Sequence, residues 1–162
     1  VLPVVSSFVF LFRGVGLSFQ EAAITMLGSN KENDKAIYKF AAVLGLTLAS
    51  ALIITAITPL SKLWFSKVSG LSAELTGLAL TPLLIMGLFP ASTVLISMQR
   101  AILVKDGQTS PITNATIIEV LTIISVLYIS IIHLSAVGVV AAASAFLSGR
   151  LAANTYLYFK TR

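Results

Sequence analysis

Five stretches of this chain, at about 3–27, 36–58, 75–98, 111–133 and 135–159, are each long and apolar enough to cross a lipid bilayer as a helix. A spanning helix needs roughly 20 predominantly apolar residues. Backbone groups in hydrocarbon must be paired within the segment, which a helix achieves and an open strand does not. The expected fold class is therefore all-α: a polytopic membrane helix bundle of five transmembrane helices, with residues 1–162 forming a single bundle. Composition agrees. Only 10% of the residues are charged and 57% are hydrophobic, against about 25% and about 45–50% in soluble domains, and the mean hydropathy is +0.97. Such a chain cannot cover its own surface in water.

Local signals mark the span boundaries. Gly28 suits the residue just past the end of the first span, and the second stops near Pro59. The third contains Pro82 and Pro90 together with Gly77 and Gly87, which predicts a bent helix. The fourth opens with Ser110 as a cap and Pro111 at the first helical position. Almost nothing separates it from the fifth, so the two form a tight helical hairpin. The chain opens at Val1, already in an apolar stretch and with no basic segment of the kind a signal peptide carries. Together with the odd number of spans, this reads as a fragment of a longer polypeptide.

Charge gives an orientation. Loop 29–35 extended to Lys39, loop 99–110 and the C-terminal tail fall on one side and hold Lys31, Lys35, Lys39, Arg100, Lys105, Lys160 and Arg162. The other side has Lys62 and Lys67 only, so the count is seven against two. By the positive-inside rule the C-terminus is expected in the cytoplasm of a cell-membrane protein. Segment Ser61 to Glu74, with Trp64 and Phe65, is expected at the outer interface as an aromatic anchor. The net charge of +5 is scattered over short loops without a patch, so no nucleic-acid partner is expected. Cysteine is absent, which excludes disulfides and Cys-based zinc sites.

Ionisable residues inside a span are costly and are functional candidates by default. Here they are Arg13, Glu21, Glu119 and Arg150, whereas His133 falls at a helix end. Glu21 lies seven residues before Gly28, Glu119 eight after Pro111 and Arg150 nine before Phe159. At about 1.5 Å per residue all three fall roughly 10–14 Å from the inner helix ends. Spans four and five are antiparallel neighbours, so Glu119 and Arg150 are placed to meet as an ion pair, which Glu21 joins if span one packs beside them. Two other readings stay open. Thr116-x-x-Glu119 matches a capping box that would put Glu119 among the headgroups, and Arg150 can snorkel towards water. Arg13 lies nearer the outer half, with no evident partner in the sequence.

Span one is two-faced at 100° per residue. Gly14, Ser18, Glu21 and Thr25 form one stripe, with Arg13 and Gln20 beside it, while Phe12, Val15, Phe19, Ala23 and Met26 lie opposite. The polar side is expected to meet protein or a watery cavity and the apolar side lipid. Ala141, Ala145, Gly149 and Ala153 recur every four residues, the spacing of small residues that lets membrane helices approach closely.

These residues carry a resemblance. RGVGLSFQEAAITML at Arg13–Leu27 resembles the eighth helix of the multidrug/oligosaccharidyl-lipid/polysaccharide exporter superfamily, which includes the MATE-like transporters. MQRAILVKDGQTSPITNATIIEVL at Met98–Leu121 resembles its tenth-to-eleventh-helix connection, and VGVVAAASAFLSGRLAANTYL at Val137–Leu157 its twelfth helix. The resemblance implies the last five helices of a twelve-helix, two-lobed exporter or flippase working by alternating access. The N-terminal lobe of the same polypeptide would be a partner, the substrate a small molecule or a lipid-linked one, and the coupling ion sodium or a proton. Cation-coupled drug exporters of that family commonly carry a carboxylate in the tenth helix, and 75–98 has none. That departure weighs against drug/cation antiport and leaves open a polysaccharide-lipid flippase, a metabolite or pyrophosphate exporter, or another coupling route.

No enzyme and no resident cofactor are expected. Phe146-Leu147-Ser148-Gly149 lacks the first glycine of an intramembrane serine-protease motif, and the single histidine, His133, precedes it. The competing class is a small multi-pass scaffold or assembly subunit without transport of its own, which the reading frame upstream of Val1 would distinguish. The sequon Asn114-Ala115-Thr116 falls on the cytoplasmic side, so no glycan is expected.

Overall fold

Proline decides where several helices of this chain begin and break. The computed structural model describes residues 1–27, 31–133 and 137–161, with backbone alone at 31–34, and every regular element among them is helical. Helix α1 (Leu2–Met26) opens on Pro3, and α2 (Lys31–Ile57) stops two residues before Pro59. Pro59 then starts the short α3 (Pro59–Leu63), which runs into a π-helical turn at Trp64–Val68. Helices α4 (Ala73–Ile85) and α5 (Phe89–Lys105) together make the expected third span, interrupted by a 3₁₀ turn at Met86–Leu88. Pro90 explains the interruption: it has no N–H to offer the carbonyl of Met86, and its ring crowds that carbonyl. Helices α6 (Ser110–Ile132) and α7 (Gly138–Lys160) complete the chain. Gly28 and Ser135, expected at span ends, lie outside the described residues.

Three boundaries differ from the sequence expectation. Helix α5 continues to Lys105, so Gln99 and Arg100 are helical rather than part of a basic loop. It closes in a Schellman arrangement, with Gly107 at φ 70°, Gln108 N–H donating to Leu103 O and Gly107 N–H to Val104 O. Ser110 is the first residue of α6 and does not cap it; Thr109 holds the cap position without a side-chain cap bond. The Thr116–Glu119 capping box does not form, because Thr116 lies inside α6 and donates to its own Ile112 carbonyl at 3.1 Å.

Helix α5 is the hub, with α1, α2 and α7 packed around it and α6 lying outside against α7. The clusters fix the directions. Val5 and Phe8 of α1 pack with Leu52 and Ala56 near the end of α2, and with Phe65 and Leu83. Phe19 and Ala23 pack with Ile37 and Ala41 of α2 and with Val94, Met98 and Ala101 of α5. Helices α1, α5 and α7 therefore run one way and α2 and α6 the other. Phe65 is fully buried, with its ring 5.8 Å from that of Phe8, and Trp64 stacks 5.2 Å from the same ring. These aromatics pack against the start of α1 at one end of the bundle.

Small residues set the contacts. Ala141, Ala145, Gly149 and Ala153 are all buried. A Cβ on Gly149 would lie 2.9 Å from the Glu119 carbonyl oxygen and 2.6 Å from Ile123 Cγ1, so only glycine admits α6 this closely. Large apolar residues instead point outward: Leu46, Ile54, Ile57, Leu121, Ile124 and Phe159 are 56–70% exposed. Water-soluble monomers avoid such continuous apolar surface. Among the described residues, four helical segments are long and apolar enough to cross a membrane: Leu2–Met26, Lys35–Ile57, Ala73–Lys105 and Ser110–Ile132. Helix α7 equals α6 in length at 23 residues, but Ser144, Ser148, Arg150 and Asn154 make it less apolar.

Candidate functional site

Just past the break between α4 and α5, the ring of Phe89 gathers two arginines. The Arg13 guanidinium carbon lies 4.5 Å from the ring centroid and that of Arg150 5.4 Å, within cation–π range. The two guanidinium carbons are therefore no more than about 10 Å apart. Arg13 Nε donates to Thr93 Oγ1 at 3.3 Å. Arg150 Nη2 forms an ion pair with Glu119 Oε1 at 3.0 Å, the two side chains being 11% and 14% exposed.

Each group is delivered by backbone contact. Arg13 is three residues before Gly16, whose position would put a Cβ 3.0 Å from Val94 Cγ2, so α1 lies close against α5 there. Arg150 follows Gly149, which brings the α6 backbone at Glu119 against α7. Phe89 and Thr93 belong to one stripe of α5 that continues through Ser97 and Arg100 at helical spacing. The layer thus holds two arginines and one glutamate, with Arg100 two helical turns further along α5 from Thr93.

A second polar contact lies beside it. Gln99 Nε2 donates to the Asn154 carbonyl at 3.0 Å, and Asn154 Nδ2 donates to the Ser92 carbonyl at 3.0 Å, a reciprocal amide clamp between α5 and α7. The hydroxyls of Ser92 and Thr93 both donate to the Phe89 carbonyl at 2.8 Å. Several buried atoms keep no hydrogen-bond partner among the described residues: Ser97 Oγ, Gln99 Oε1, Asn154 Oδ1, and Nε of Arg100 and of Arg150. Buried polar atoms are usually paired, so this concentration sets the α5–α7 seam apart from the rest of the bundle.

The expected site residues separate into two groups. Glu119 and Arg150 come together, and Arg13 joins their layer, contrary to its expected isolation. Glu21 does not join. It is exposed, has no ion-pair partner among the described residues, and lies eight residues beyond Arg13, about 12 Å along α1. Gln20 is half-buried on the same side of α1 as Arg13. The expectation failed because the helix ends are staggered. Thr93 is 12 residues from the end of α5 and Arg13 is 13 from the end of α1, whereas Glu119 is nine from the start of α6.

The faces of α1 depart from expectation in part: Val15 and Met26 are exposed as expected and Arg13 meets protein, but other positions are exchanged. Phe19 and Ala23, expected towards lipid, are buried against α2 and α5, and Ser18, Glu21 and Thr25 face away from the bundle. Ser18 and Thr25 satisfy their hydroxyls on carbonyls of their own helix, Gly14 O at 3.2 Å and Ala22 O at 2.9 Å. Phe89, Thr93, Ser97, Gln99 and Asn154 were not singled out from sequence. For Thr93, Ser97 and Gln99 the signal was the group of polar residues Ser92, Thr93, Ser97 and Gln99 in a stretch otherwise apolar, with Thr93 and Ser97 one turn apart.

Among the described residues no group of three or more His, Cys, Asp or Glu side chains is placed to hold a metal ion. No family model, no curated protein and no solved structure matches the chain.

Proposed function

We infer that this chain is a five-span helix bundle of the cell membrane, and part of a two-lobed exporter or flippase that works by alternating access, as its MATE-like resemblance implies. The observation that carries the reading is the cluster of Arg13, Arg150 and Glu119 around Phe89, directly after a helix broken at mid-length. Charges within membrane helices mark substrate or ion paths, and interrupted helices are how many transporters build a binding site at mid-depth. Two arginines against one glutamate favour an anionic substrate group.

The fifth crossing is α7. Its Arg150 is neutralised by Glu119, which lowers the cost of carrying that charge across hydrocarbon. The C-terminus is cytoplasmic on this reading. Moving Arg100 from loop to helix leaves Lys31, Lys35, Lys39, Lys105, Lys160 and Arg162 against Lys62 and Lys67, still a positive-inside bias. Sodium or a proton is the coupling ion in this scheme.

The test is transport by the full-length protein in proteoliposomes, with fluorescent diphosphate-linked and neutral lipid analogues offered in parallel. Movement of the anionic analogue, lost in Arg13→Gln, supports the reading. Movement of neither, by protein of intact thermal stability, overturns it. A second reading, a scaffold or assembly subunit, is favoured by the outward stripe of Ser18, Glu21 and Thr25, a face suited to another membrane helix. Stoichiometric recovery of a partner protein without transport would favour it.

A further inference from the structure

A groove of about 630 Å³ runs between α2 and α5 and ends beside the last turn of α7. Its walls are apolar and small, with Ala42 and Leu46 on one side and Leu95 and Ile102 on the other. It opens at Tyr38, Tyr158 and Thr161. At the opposite end α2 and α5 converge, where a Cβ on Gly45 would touch Ala91 at ordinary van der Waals distance, and beyond that Gly87 lies so close to Ile53 that a Cβ there would come within 2.7 Å.

Length and charge identify the occupant. The α5 wall runs from Ala91 to Ile102, which at about 1.5 Å per residue is ~16 Å. Half of a bilayer's hydrocarbon core is about 15 Å, so the groove matches one leaflet's depth of acyl chain. Its mouth lies at the basic end of the bundle. Lys35 is one helical turn before Tyr38, and Lys160 adjoins Thr161. An apolar slot one leaflet deep with cations at its rim fits a phospholipid with an anionic headgroup.

We propose that the α2–α5 groove holds an acyl chain of an anionic phospholipid, lengthwise, in the leaflet on the Lys35–Lys160 side. The lipid fills the space beside the small residues Ala41 and Ala42, and so completes the packing of α2 on the hub. The proposal rests on the membrane reading and not on transport, so a chain that moves no substrate still tests it.

The experiment reconstitutes the full chain in vesicles of phosphatidylcholine and phosphatidylglycerol carrying a trace of phosphatidylglycerol with a diazirine in its acyl chain. Photolysis and peptide mapping then compare the groove with Ile117, Val120, Leu121 and Ile124, the open outer face of α6. Labelling at 41–46 and 91–102 is expected to exceed that on α6 about tenfold, a 1.4 kcal/mol preference. Ala42→Trp and, as a second folded filler, Leu46→Trp are expected to remove the excess and leave the α6 labelling unchanged. A diazirine phosphatidylcholine probe is expected to label the groove several-fold less, about fivefold per contributing lysine, and Lys35→Gln with Lys160→Gln to erase that difference. Labelling spread evenly over groove and α6, an excess that survives a folded Trp variant, or equal labelling by the two headgroups overturns the proposal.

Discussion

Arg150 Nη2 and Glu119 Oε1 meet at 3.0 Å between α7 and α6, next to the close approach at Gly149, and both side chains are largely withdrawn from solvent. The pair is the point at which the charge of the bundle is internally balanced. Breaking it from one side leaves an uncompensated charge, which in buried settings costs about 3–5 kcal/mol. Glu119→Gln is therefore expected to lower thermal stability in detergent strongly. Glu119→Gln combined with Arg150→Gln should recover most of the loss, and so should the exchange Glu119→Arg with Arg150→Glu. Additive single effects in this cycle would contradict the pairing.

Gly149→Ala is expected to cost about 1–3 kcal/mol, the range for overpacking. Its methyl would meet Ile123 and the Glu119 carbonyl oxygen. Shortening Ile123 to Ala should relieve only part of the loss, because the backbone carbonyl cannot rotate away. Full recovery in the double variant, measured by thermal unfolding, would locate the constraint in the side chain alone.

Arg13 is tied to α5 through Thr93 and the Phe89 ring. Thr93→Val removes the hydroxyl and is expected to cost about 1 kcal/mol. In an Arg13→Gln background the same change should cost less, since the partner is already gone. Equal costs in both backgrounds would mean that the hydrogen bond is not formed.

Glu21 is exposed on the face of α1 turned away from the bundle. Glu21→Gln is expected to change the stability of the chain by less than about 0.5 kcal/mol, in contrast to Glu119→Gln. Its effect should appear only in transport or in recovery of a partner. A loss of stability matching that of Glu119→Gln would place Glu21 inside the network after all.

The chain contains no cysteine, so single introduced cysteines report topology without background. Cysteines replacing Ser69 and Val137 should react with an impermeant maleimide from one side, and those replacing Gln108 and Thr161 from the other. Labelling of 137 and 161 from the same side would mean that α7 does not cross.

The charged layer was half legible in the sequence. Glu119 and Arg150 lie on the two arms of a hairpin whose connection is too short to allow other neighbours, so equal depth was enough to pair them. Arg13 and Glu21 lie on a helix whose stagger against the rest depends on side chains far away in the chain. Gly16 against Val94 sets that stagger, and residues 78 apart in sequence carry no local sign of it.

What the sequence determined by itself is the elements and their apolar character. Apolar runs with few charges specify helices long enough to cross a membrane, and prolines at 59 and 90 specify where they break, because backbone pairing is a local requirement. What only the tertiary structure decided is which face of each helix turns inward. In water the apolar face is the buried one, and periodicity reveals it. In lipid both faces may be apolar, so close approach of small residues decides instead. Gly16, Gly87 and Gly149 fixed the contacts; with them Ser18, Glu21 and Thr25 face outward and Arg13 reaches the layer that Glu119 and Arg150 already shared.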